Sequence, residues 1–497
     1  MFLFQRLLHF YMRSCIIFIA LFICLTLPVK GIKAEPTHLN EQIRNILQKY
    51  LLKNAHCGIS VVSLKTNTPV VNYQSNDLFM VASNMKLATT ATALEYLGTD
   101  FKYNTSVEAD GNITGNGTLE GNIIIRGSGD PNLSGRFYNS NILTIPNAWL
   151  HAIKNLGIQK ITGDIVADDS IFDRNYINDA WPKNQLHEWY CAPTSGLSFN
   201  DNCIDIIFVP RNNVNKKVAL LIEPNTSFVT IYNECIYTSE EKQHAYSIYR
   251  KPGTNDIYVK GKFWTNASQK REWVSVHSPS LYLVTLFKEM LENSGISVLG
   301  TVRLINENDR KSYSNKPIKI AQTISTMEQS IHVTNKRSQN FYAEQIIKTL
   351  GAHIRGCGNT EDGLQVISAF MGKLGFDSVE YKIRDGSGLS KENKLSPNMI
   401  TTLLSYMNTH KHGEVFCDSL PISGIDGGLH RRMASPQYKG KIHAKTGYIA
   451  GVSALSGYID TSKGDRLAFS ILINNFKSLR DAKKAQDEIC QFLTDSL

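Results

Sequence analysis

Residues 81–98 read VASNMKLATTATALEYLG, and this stretch predicts a helix with a candidate nucleophile at its start. Its alanine and threonine content favours close packing on several sides, and Gly98 suits the helix end because glycine readily adopts the left-handed conformation. Ser83 and Lys86 stand three residues apart, so a hydroxyl and an amine share one helix face. Free backbone N–H groups at a helix start favour negative charge. A partly desolvated lysine there can act as a base.

Two further short segments give this pair candidate partners. A Ser-Gln-Asn segment, 338–340, stands at the head of a predicted helix, and a Lys-Thr-Gly segment, 445–447, leads into predicted strands. Taken alone, each motif is most often a helix cap or a turn. In this order, and together with Ser83 and Lys86, they match the motif set of serine enzymes that act on D-alanyl peptides and β-lactams.

The N-terminal 34 residues form a candidate export signal. Arg6 and Arg13 precede the apolar run 15–27, which is too short to span a membrane as a helix. We therefore assign residues 1–34 to a signal peptide and expect a periplasmic protein, with an uncleaved anchor as the alternative.

Composition and charge restrict the partners. The 497 residues are 42% hydrophobic and carry a formal net charge of +9, of which four basic residues belong to the leader. The sequence has no dense stripe of Lys and Arg interleaved with aromatic residues, so nucleic acid is not an expected partner. A mildly basic surface suits an anionic cell wall or a weak association with a membrane surface.

The cysteines give no sign of a metal site. Seven of the nine follow the leader, scattered and without a Cys-x-x-Cys pair, so neither a metal nor another cofactor is expected. Export permits disulfides, and Cys191 and Cys203 are near enough in sequence to be candidates for one. The odd number leaves at least one free thiol in a monomer.

Hydrophobic periodicity divides the mature chain into a discontinuous domain and an inserted block. Strand-like runs separated by Asn, Gly and Ser turns fill residues 106–279, a β-rich block of one or two small domains. The flanking parts, 35–105 and 280–497, predict an antiparallel sheet covered by helices, so the chain is expected to leave this domain after Gly98 and to return near Ser280. The predicted elements outside the block are the helices 39–52, 81–98, 280–293, 340–350, 360–374, 397–410 and 481–493 and the strands 58–64, 69–73, 453–460 and 466–474.

Other segments make a family resemblance specific. From about residue 40 to its end, the sequence resembles the low-molecular-mass class C penicillin-binding proteins, the D-alanyl-D-alanine carboxypeptidase/endopeptidase family of the penicillin-binding protein 4 type. The long separation of Lys86 and Ser338 is typical of that family's insertion. The resemblance implies an α+β fold, a serine β-lactamase/transpeptidase-like domain with a large β-rich insertion. Besides the three motifs, it is carried by 168–172 (DDSIF), 191–193 (CAP), 385–390 (DGSGLS), 420–429 (LPISGIDGGL) and 444–447 (AKTG).

The resemblance also implies catalytic roles. Ser83 attacks the carbonyl of the penultimate D-Ala and forms an acyl-enzyme, and Lys86 takes the hydroxyl proton. Ser338 relays a proton to the leaving nitrogen. Asn340 binds the peptide amide of the substrate and steadies Lys86.

Substrate binding is implied for the third motif. Lys445 and Thr446 bind the terminal carboxylate, and Gly447 allows the substrate to approach the strand closely. The backbone N–H groups of Ser83 and Tyr448 form the oxyanion hole. Family members usually carry Ser or Thr where this chain has Tyr448, so one side-chain contact to the carboxylate is left unassigned.

A second departure concerns the third residue of the stem peptide. The family often carries an acid six residues before segment 191–193, where it binds the amine of diaminopimelate, and this chain has Gln185 there. Glu188 is interpreted as a solvated surface acid. His443, two residues before Lys445, is interpreted as structural.

The expected function is a periplasmic serine D,D-carboxypeptidase with D,D-endopeptidase activity. Its partners would be peptidoglycan stem peptides as substrates and β-lactam antibiotics as covalent inhibitors. One alternative is a β-lactamase on the same scaffold, although no convincing Glu-x-x-Leu-Asn segment is present to place its hydrolytic water. The other is a non-catalytic wall-binding protein, against which the intact motif side chains argue.

Overall fold

The structure, a computed structural model, describes residues 38–497 apart from 51, 308 and 310–316, so the predicted signal peptide lies outside the described residues. The helices of the described part are α1 His38–Lys49, α2 Met85–Tyr96, α3 Thr144–Asn155, α4 Pro279–Asn293, α5 Met327–Lys336, α6 Asn340–Leu350, α7 Thr360–Lys373, α8 Pro397–Thr409, α9 Gly413–Asp418 and α10 Leu479–Ser496. Within this part of the chain, no helix combines the length and the apolar character needed to cross a membrane.

The strands fall into two groups along the chain. Those up to residue 264 are β1 His56–Ser63, β2 Thr68–Tyr73, β3 Phe79–Met80, β4 Lys102–Ile113, β5 Thr118–Arg126, β6 Lys160–Ile161, β7 Ile165–Asp168, β8 Cys203–Val209, β9 Ala219–Glu223, β10 Thr230–Thr238, β11 Ala245–Arg250 and β12 Asp256–Trp264. Those that follow are β13 Lys270–Ser275, β14 Ser297–Val298, β15 Val302–Leu304, β16 Ile318–Thr326, β17 Lys394–Leu395, β18 Ile442–Ile449, β19 Val452–Asp460 and β20 Arg466–Asn474.

A five-stranded antiparallel sheet brings the two ends of the described chain together. Its strand order is β18-β19-β20-β1-β2, and β1 pairs with β20 from His56 opposite Asn474 to Ser63 opposite Leu467. Nearly every residue of β19 and β20 is buried, so both faces of these strands are covered. Helix α8 packs on β20 and β1, and α10 packs on β19. An antiparallel sheet covered by helices is therefore present, as predicted.

Helix α2 lies at the centre of the helical layer. Its residues from Met85 to Leu94 are all buried, and it contacts α5, α6, α7 and α8. The buried hydroxyls are satisfied by backbone carbonyls; for example, Thr90 donates to Lys86 O at 2.7 Å and Thr92 to Ala88 O at 2.7 Å. Close packing on several sides, predicted from the alanine and threonine content, is confirmed.

The β-rich block has its own apolar core. Seven strands form one sheet, in the order β14-β6-β5-β4-β16 with β7 beside β5 and β15 beside β7. Two three-stranded sheets, β10-β12-β11 and β13-β8-β9, complete it. Buried side chains from all three sheets and from α3 and α4, including Trp149, Phe208 and Phe287, form one cluster that is separate from the cluster around α2.

The chain enters and leaves this block at neighbouring points. Strands β4 and β16 are antiparallel partners, with Lys102 opposite Thr326. Just beyond this pair, the backbone N–H of Met327 donates to Phe101 O at 3.0 Å. The chain therefore returns to the helical layer at the start of α5.

This return differs from the one expected near Ser280. Helix α4 packs on β7, its Tyr282 and Phe287 belong to the core of the block, and the Ser280 hydroxyl donates to Asp169 at 3.1 Å. The periodicity of residues 280–293 does mark a helix, but its apolar face covers the inserted sheet. Periodicity shows that a helix has an apolar face and does not show which sheet that face covers.

All seven cysteines of the described residues are free thiols. The candidate bridge between Cys191 and Cys203 is therefore absent, although both side chains are buried. Burial raises the pKa of the Cys191 thiol to about 12, so this thiol stays protonated near neutral pH.

Candidate active site

Ser83 lies in a tight turn that runs directly into α2. The turn is a single 3-10 turn, Ala82–Asn84, and Ala82 has a φ of +45°, which is strained for a residue with a Cβ. The side chain of Asn84 anchors the turn to the sheet, because its amide donates to Lys445 O at 2.8 Å and accepts from the Ser456 hydroxyl at 2.7 Å. Ser83 is half-buried, with its hydroxyl at the floor of an open cleft.

Lys86 lies one helical turn beyond Ser83 and is fully buried. Its Nζ is 3.2 Å from Ser83 Oγ, 2.6 Å from Asn340 Oδ1 and 2.6 Å from the carbonyl oxygen of Ser387. The last two atoms are acceptors only, so a neutral amine can give its two hydrogens to them and turn its lone pair to the Ser83 hydroxyl. This is the arrangement that a general base requires.

Burial sets the proton affinity of this amine. Loss of water lowers the pKa of Lys86 to about 7, although the negative charges of Asp385 and Glu344 act to raise it. A large fraction of Lys86 is therefore neutral near neutral pH, whereas an exposed lysine is almost wholly charged.

The second motif lies between α5 and α6 and faces Lys86. Ser338 has a φ of +56°, which turns the chain sharply before α6 begins at Asn340. The Asn340 side chain donates to Tyr190 O at 2.9 Å, and this bond directs its oxygen to Lys86. The Ser338 hydroxyl accepts from Lys445 Nζ at 2.7 Å. The two predicted side chains thus join the first motif to the third.

The third motif lies on β18, at the edge of the five-stranded sheet. Lys445 is fully buried, and its Nζ also donates to Thr446 O at 2.8 Å. Burial, together with the charge of Lys86, places the pKa of Lys445 well below its ordinary value. Thr446 is half-buried, and the Tyr448 side chain is exposed and lines the cleft.

Gly447 allows β18 to approach the turn that bears Ser83. A Cβ at this position would lie 3.0 Å from Val81 O and 3.1 Å from Ser83 N, which is closer than side-chain atoms normally come. The backbone of the third motif therefore runs directly beside the backbone N–H of Ser83. All eight predicted site residues lie around one cleft of about 760 Å³ or immediately behind its wall.

A model of the D-Ala-D-Ala carboxypeptidase 3 (S13) family matches residues 39–496. The chain belongs to this family. A D-alanyl-D-alanine carboxypeptidase of Actinomadura sp. (strain R39) is 28% identical over 474 residues, covering 93% of this chain and 85% of that protein. The D-alanyl-D-alanine carboxypeptidase DacB of Haemophilus influenzae is 24% identical and covers 89% of this chain and 90% of that protein.

A solved structure agrees with this assignment at the level of the fold. The crystal structure of penicillin binding protein 4 from Haemophilus influenzae superposes with a TM-score of 0.78 at 22% sequence identity, covering 91% of this chain and 99% of that one. The same protein complexed with a β-lactam gives a TM-score of 0.72. The predicted family, the predicted fold class and the enzyme class, a serine-type D-Ala-D-Ala carboxypeptidase, are confirmed.

The loop 385–390 of this S13 family member supports the catalytic lysine from behind. Asp385 is fully buried and accepts from the backbone N–H groups of Gly388 at 2.7 Å and Ser390 at 2.6 Å. These bonds hold the loop so that the carbonyl of Ser387 points to Lys86. Gly388 has a φ of +83°, and a Cβ there would lie 1.8 Å from Ala82 O, so the loop packs directly against the turn of Ser83.

Glu344 is a site residue that the sequence analysis missed. It is buried on α6, one turn after Asn340, and accepts from Ser387 N at 2.8 Å. Burial and the nearby charge of Asp385 raise the pKa of Glu344 to about 8. Its spacing of four residues from Asn340 places both on one helix face, and this was the signal available in the sequence.

The residues around the cleft entrance bear on substrate selection. Gln185 lines the cleft and accepts from the Tyr190 hydroxyl at 3.2 Å. Glu188 is partly exposed beside His187, as expected of a surface acid, and is not among the residues that line the cleft. His443 lies 3.6 Å from the Cys417 thiol, away from the cleft lining, and burial lowers its pKa.

Acylation by penicillin is expected to accelerate as the pH rises through about 7. Below that value Lys86 carries a proton and cannot accept one from Ser83, and above it the neutral amine can. The measurement is the second-order rate constant for covalent labelling across neutral pH, with thermal unfolding followed over the same range to confirm that the protein stays folded. A rate that is flat or falls with rising pH would contradict the assignment of Lys86 as the base.

Proposed function

We propose that Ser83 is the nucleophile of a D,D-carboxypeptidase that removes the terminal D-Ala of peptidoglycan stem peptides. The observation that carries this proposal is the contact of Ser83 Oγ with a fully buried Lys86 whose other two contacts are acceptors. The family's established activity needs such a nucleophile and base in a cleft of peptide size.

The first half of the reaction forms an acyl-enzyme. Ser83 Oγ attacks the carbonyl carbon of the penultimate D-Ala while Lys86 takes the hydroxyl proton. The backbone N–H groups of Ser83 and Tyr448 stabilise the resulting oxyanion. The C–N bond then breaks, and the proton reaches the leaving nitrogen through Ser338, whose hydroxyl accepts from Lys445. The products of this step are a Ser83 ester and free D-Ala.

The second half releases the shortened peptide. A water molecule gives a proton to Lys86 and attacks the ester carbonyl, and the proton returns to Ser83 Oγ when the ester bond breaks. A β-lactam would acylate the same hydroxyl by opening of its ring, and the resulting ester would persist if water reaches it slowly. The signal-like N-terminus supports action in the periplasm, where the substrate lies.

We further propose that the same site cleaves D-Ala-diaminopimelate cross-links. The cleft is open at both ends of its lining and has room for a peptide on each side of Ser83. Because Gln185 replaces the usual acid, the amine of the third residue would meet a neutral amide, which binds an ammonium less strongly than a carboxylate does.

Labelled penicillin and a pentapeptide that ends in D-Ala-D-Ala test this function. We expect one label per chain, recovered on the proteolytic fragment that contains Ser83, and release of D-Ala from the pentapeptide. A folded protein that takes no label and releases no D-Ala would disprove the proposal. Rapid turnover of nitrocefin without a stable label would instead favour a β-lactamase.

A further inference from the structure

A second cleft adjoins the catalytic one and shares part of its wall. It has a volume of about 560 Å³, and Trp189 and Arg337 line both clefts. Trp273, on β13, lines only the second one. The two tryptophans are 37% and 47% exposed, which is unusual for side chains of this size. We call this cleft the side groove; its lining includes Arg136, Trp189, Asp201, Trp273, Arg337 and Gln339.

The second catalytic motif contributes to the groove as well as to the active site. Ser338 and Asn340 line the catalytic cleft, whereas the residue between them, Gln339, lines the side groove. Gln339 is 93% buried, and its amide nitrogen donates to Asp201 Oδ2 at 2.7 Å. The two sites are therefore separated by one short turn of backbone.

The floor of the groove has hydrogen-bonding capacity that the described residues leave unused. Gln339 Oε1 and Asp201 Oδ1 are buried and have no hydrogen-bond partner within that part of the chain. Asp201 also accepts from Arg136 through its other oxygen. Buried polar atoms are normally paired, so these two acceptors point to a donor that comes from outside the chain. A peptide supplies such donors in its N–H groups.

The rim of the groove carries an available positive charge. Arg337 is exposed, and among the described residues its guanidinium has neither an ion-pair nor a hydrogen-bond partner. Arg271, which also lines the groove, is already paired with Asp205 at 2.6 Å and Glu223 at 2.8 Å. The free cation therefore stands where the groove joins the catalytic cleft, and it suits a carboxylate on the bound molecule.

The direction of the groove follows from the proposed chemistry. Ser338 gives a proton to the leaving nitrogen, so the leaving side of the cleft is the side that bears Ser338 and Lys445. The side groove begins directly behind Ser338, at Arg337 and Gln339. A released D-Ala is too small to reach it. In a cross-linked substrate, by contrast, the leaving amine carries a whole second stem peptide, which must continue in this direction.

We propose that the side groove binds the second stem peptide of a cross-linked substrate, on the leaving side of the scissile bond. Arg337 pairs with a carboxylate of this peptide, Trp189 and Trp273 pack against its side chains, and its N–H groups meet the floor at Gln339 and Asp201. The inference rests on the proposed function, because the role of Ser338 supplies the direction. It gives the endopeptidase reaction a binding surface that the carboxypeptidase reaction does not use.

The variant Trp273→Ala tests this assignment, because the substrate alone separates the two reactions. The substrates are a D-Ala-D-Ala pentapeptide and a synthetic cross-linked peptide dimer without sugar. We expect kcat/KM for the dimer to fall about tenfold and that for the pentapeptide to stay unchanged, since an exposed aromatic anchor is removed only from the groove. Tyr232→Ala, which removes a similarly exposed aromatic ring from β10, is the matched control and should change neither reaction.

A binding measurement keeps the inference separate from the proposed chemistry. In a Ser83→Ala background the dimer stays intact, and its affinity is measured by calorimetry. Adding Trp273→Ala or Arg337→Gln should weaken dimer binding about tenfold and leave pentapeptide binding less affected. If the wild type binds the dimer in this way but releases no D-Ala, the proposed function fails and the groove assignment stands.

Three results would overturn the assignment. The first is an equal loss of both reactions in Trp273→Ala. The second is dimer binding that neither Trp273→Ala nor Arg337→Gln weakens. The third is a loss seen only when the dimer carries its glycan, which would show that the groove binds sugar and not peptide.

Discussion

Replacing Ser83 with alanine is expected to abolish both covalent labelling by penicillin and the release of D-Ala, lowering kcat/KM by a factor on the order of 10⁴ to 10⁶. The hydroxyl is the only atom of the site in position to form the acyl bond, and its single side-chain contact is with Lys86. Because Ser83 is only half-buried and its Oγ is not needed to hold the turn, the variant should fold normally. The measurements are mass spectrometry of the labelled chain and D-Ala release.

Ser405→Ala is the matched control for this change. Ser405 is also half-buried and also makes one local hydrogen bond within a helix, to Thr401 O at 2.8 Å, but it lies on α8, outside the cleft lining. It should keep full labelling. If Ser83→Ala still forms a stable penicillin adduct, another side chain is the nucleophile and the reading of the first motif is wrong.

Lys86→Gln has the second largest expected effect. The variant keeps the nucleophile but loses the base, so the rate of acylation should fall by roughly 10² to 10⁴. The rise in rate through about pH 7 should disappear with it, because the group that titrates there is gone. The measurement is the rate of penicillin labelling as a function of pH.

Stability distinguishes a lost base from a lost fold. The buried amine of Lys86 is strongly desolvated, so a neutral amide of similar shape should cost little stability. Lys154→Gln, at an exposed position on α3, is the control and should leave the rate and its pH dependence unchanged. A Lys86→Gln protein that keeps the rise through neutral pH would transfer the role of base to Lys445 or Glu344.

The predictions that held concern local patterns. The helix of residues 81–98, the paired strands at both ends and the terminal helix are present as predicted because each carries its own periodicity and its own end signals. The site residues were found because three short motifs occur in a fixed order. Ser83 and Lys86 needed only the geometry of one helix turn to be recognised as a pair.

The predictions that failed concern which surfaces meet. The return of the chain was expected near Ser280, yet the apolar face of α4 covers the inserted sheet and the chain comes back at Thr326. Cys191 and Cys203 are close in sequence but remain free. In both cases the sequence showed what a segment could do, and packing against a distant element decided what it does.

The sequence by itself determined the fold class, the family and the identity of the eight candidate site residues, because these depend on residue types at short spacings. Only the tertiary structure revealed the surroundings that make the chemistry feasible. Lys86 is a usable base because distant segments exclude water from it and offer it Asn340 Oδ1 and Ser387 O. Burial and the approach of distant groups control proton affinity, and neither can be read from residues that stand far apart in the chain.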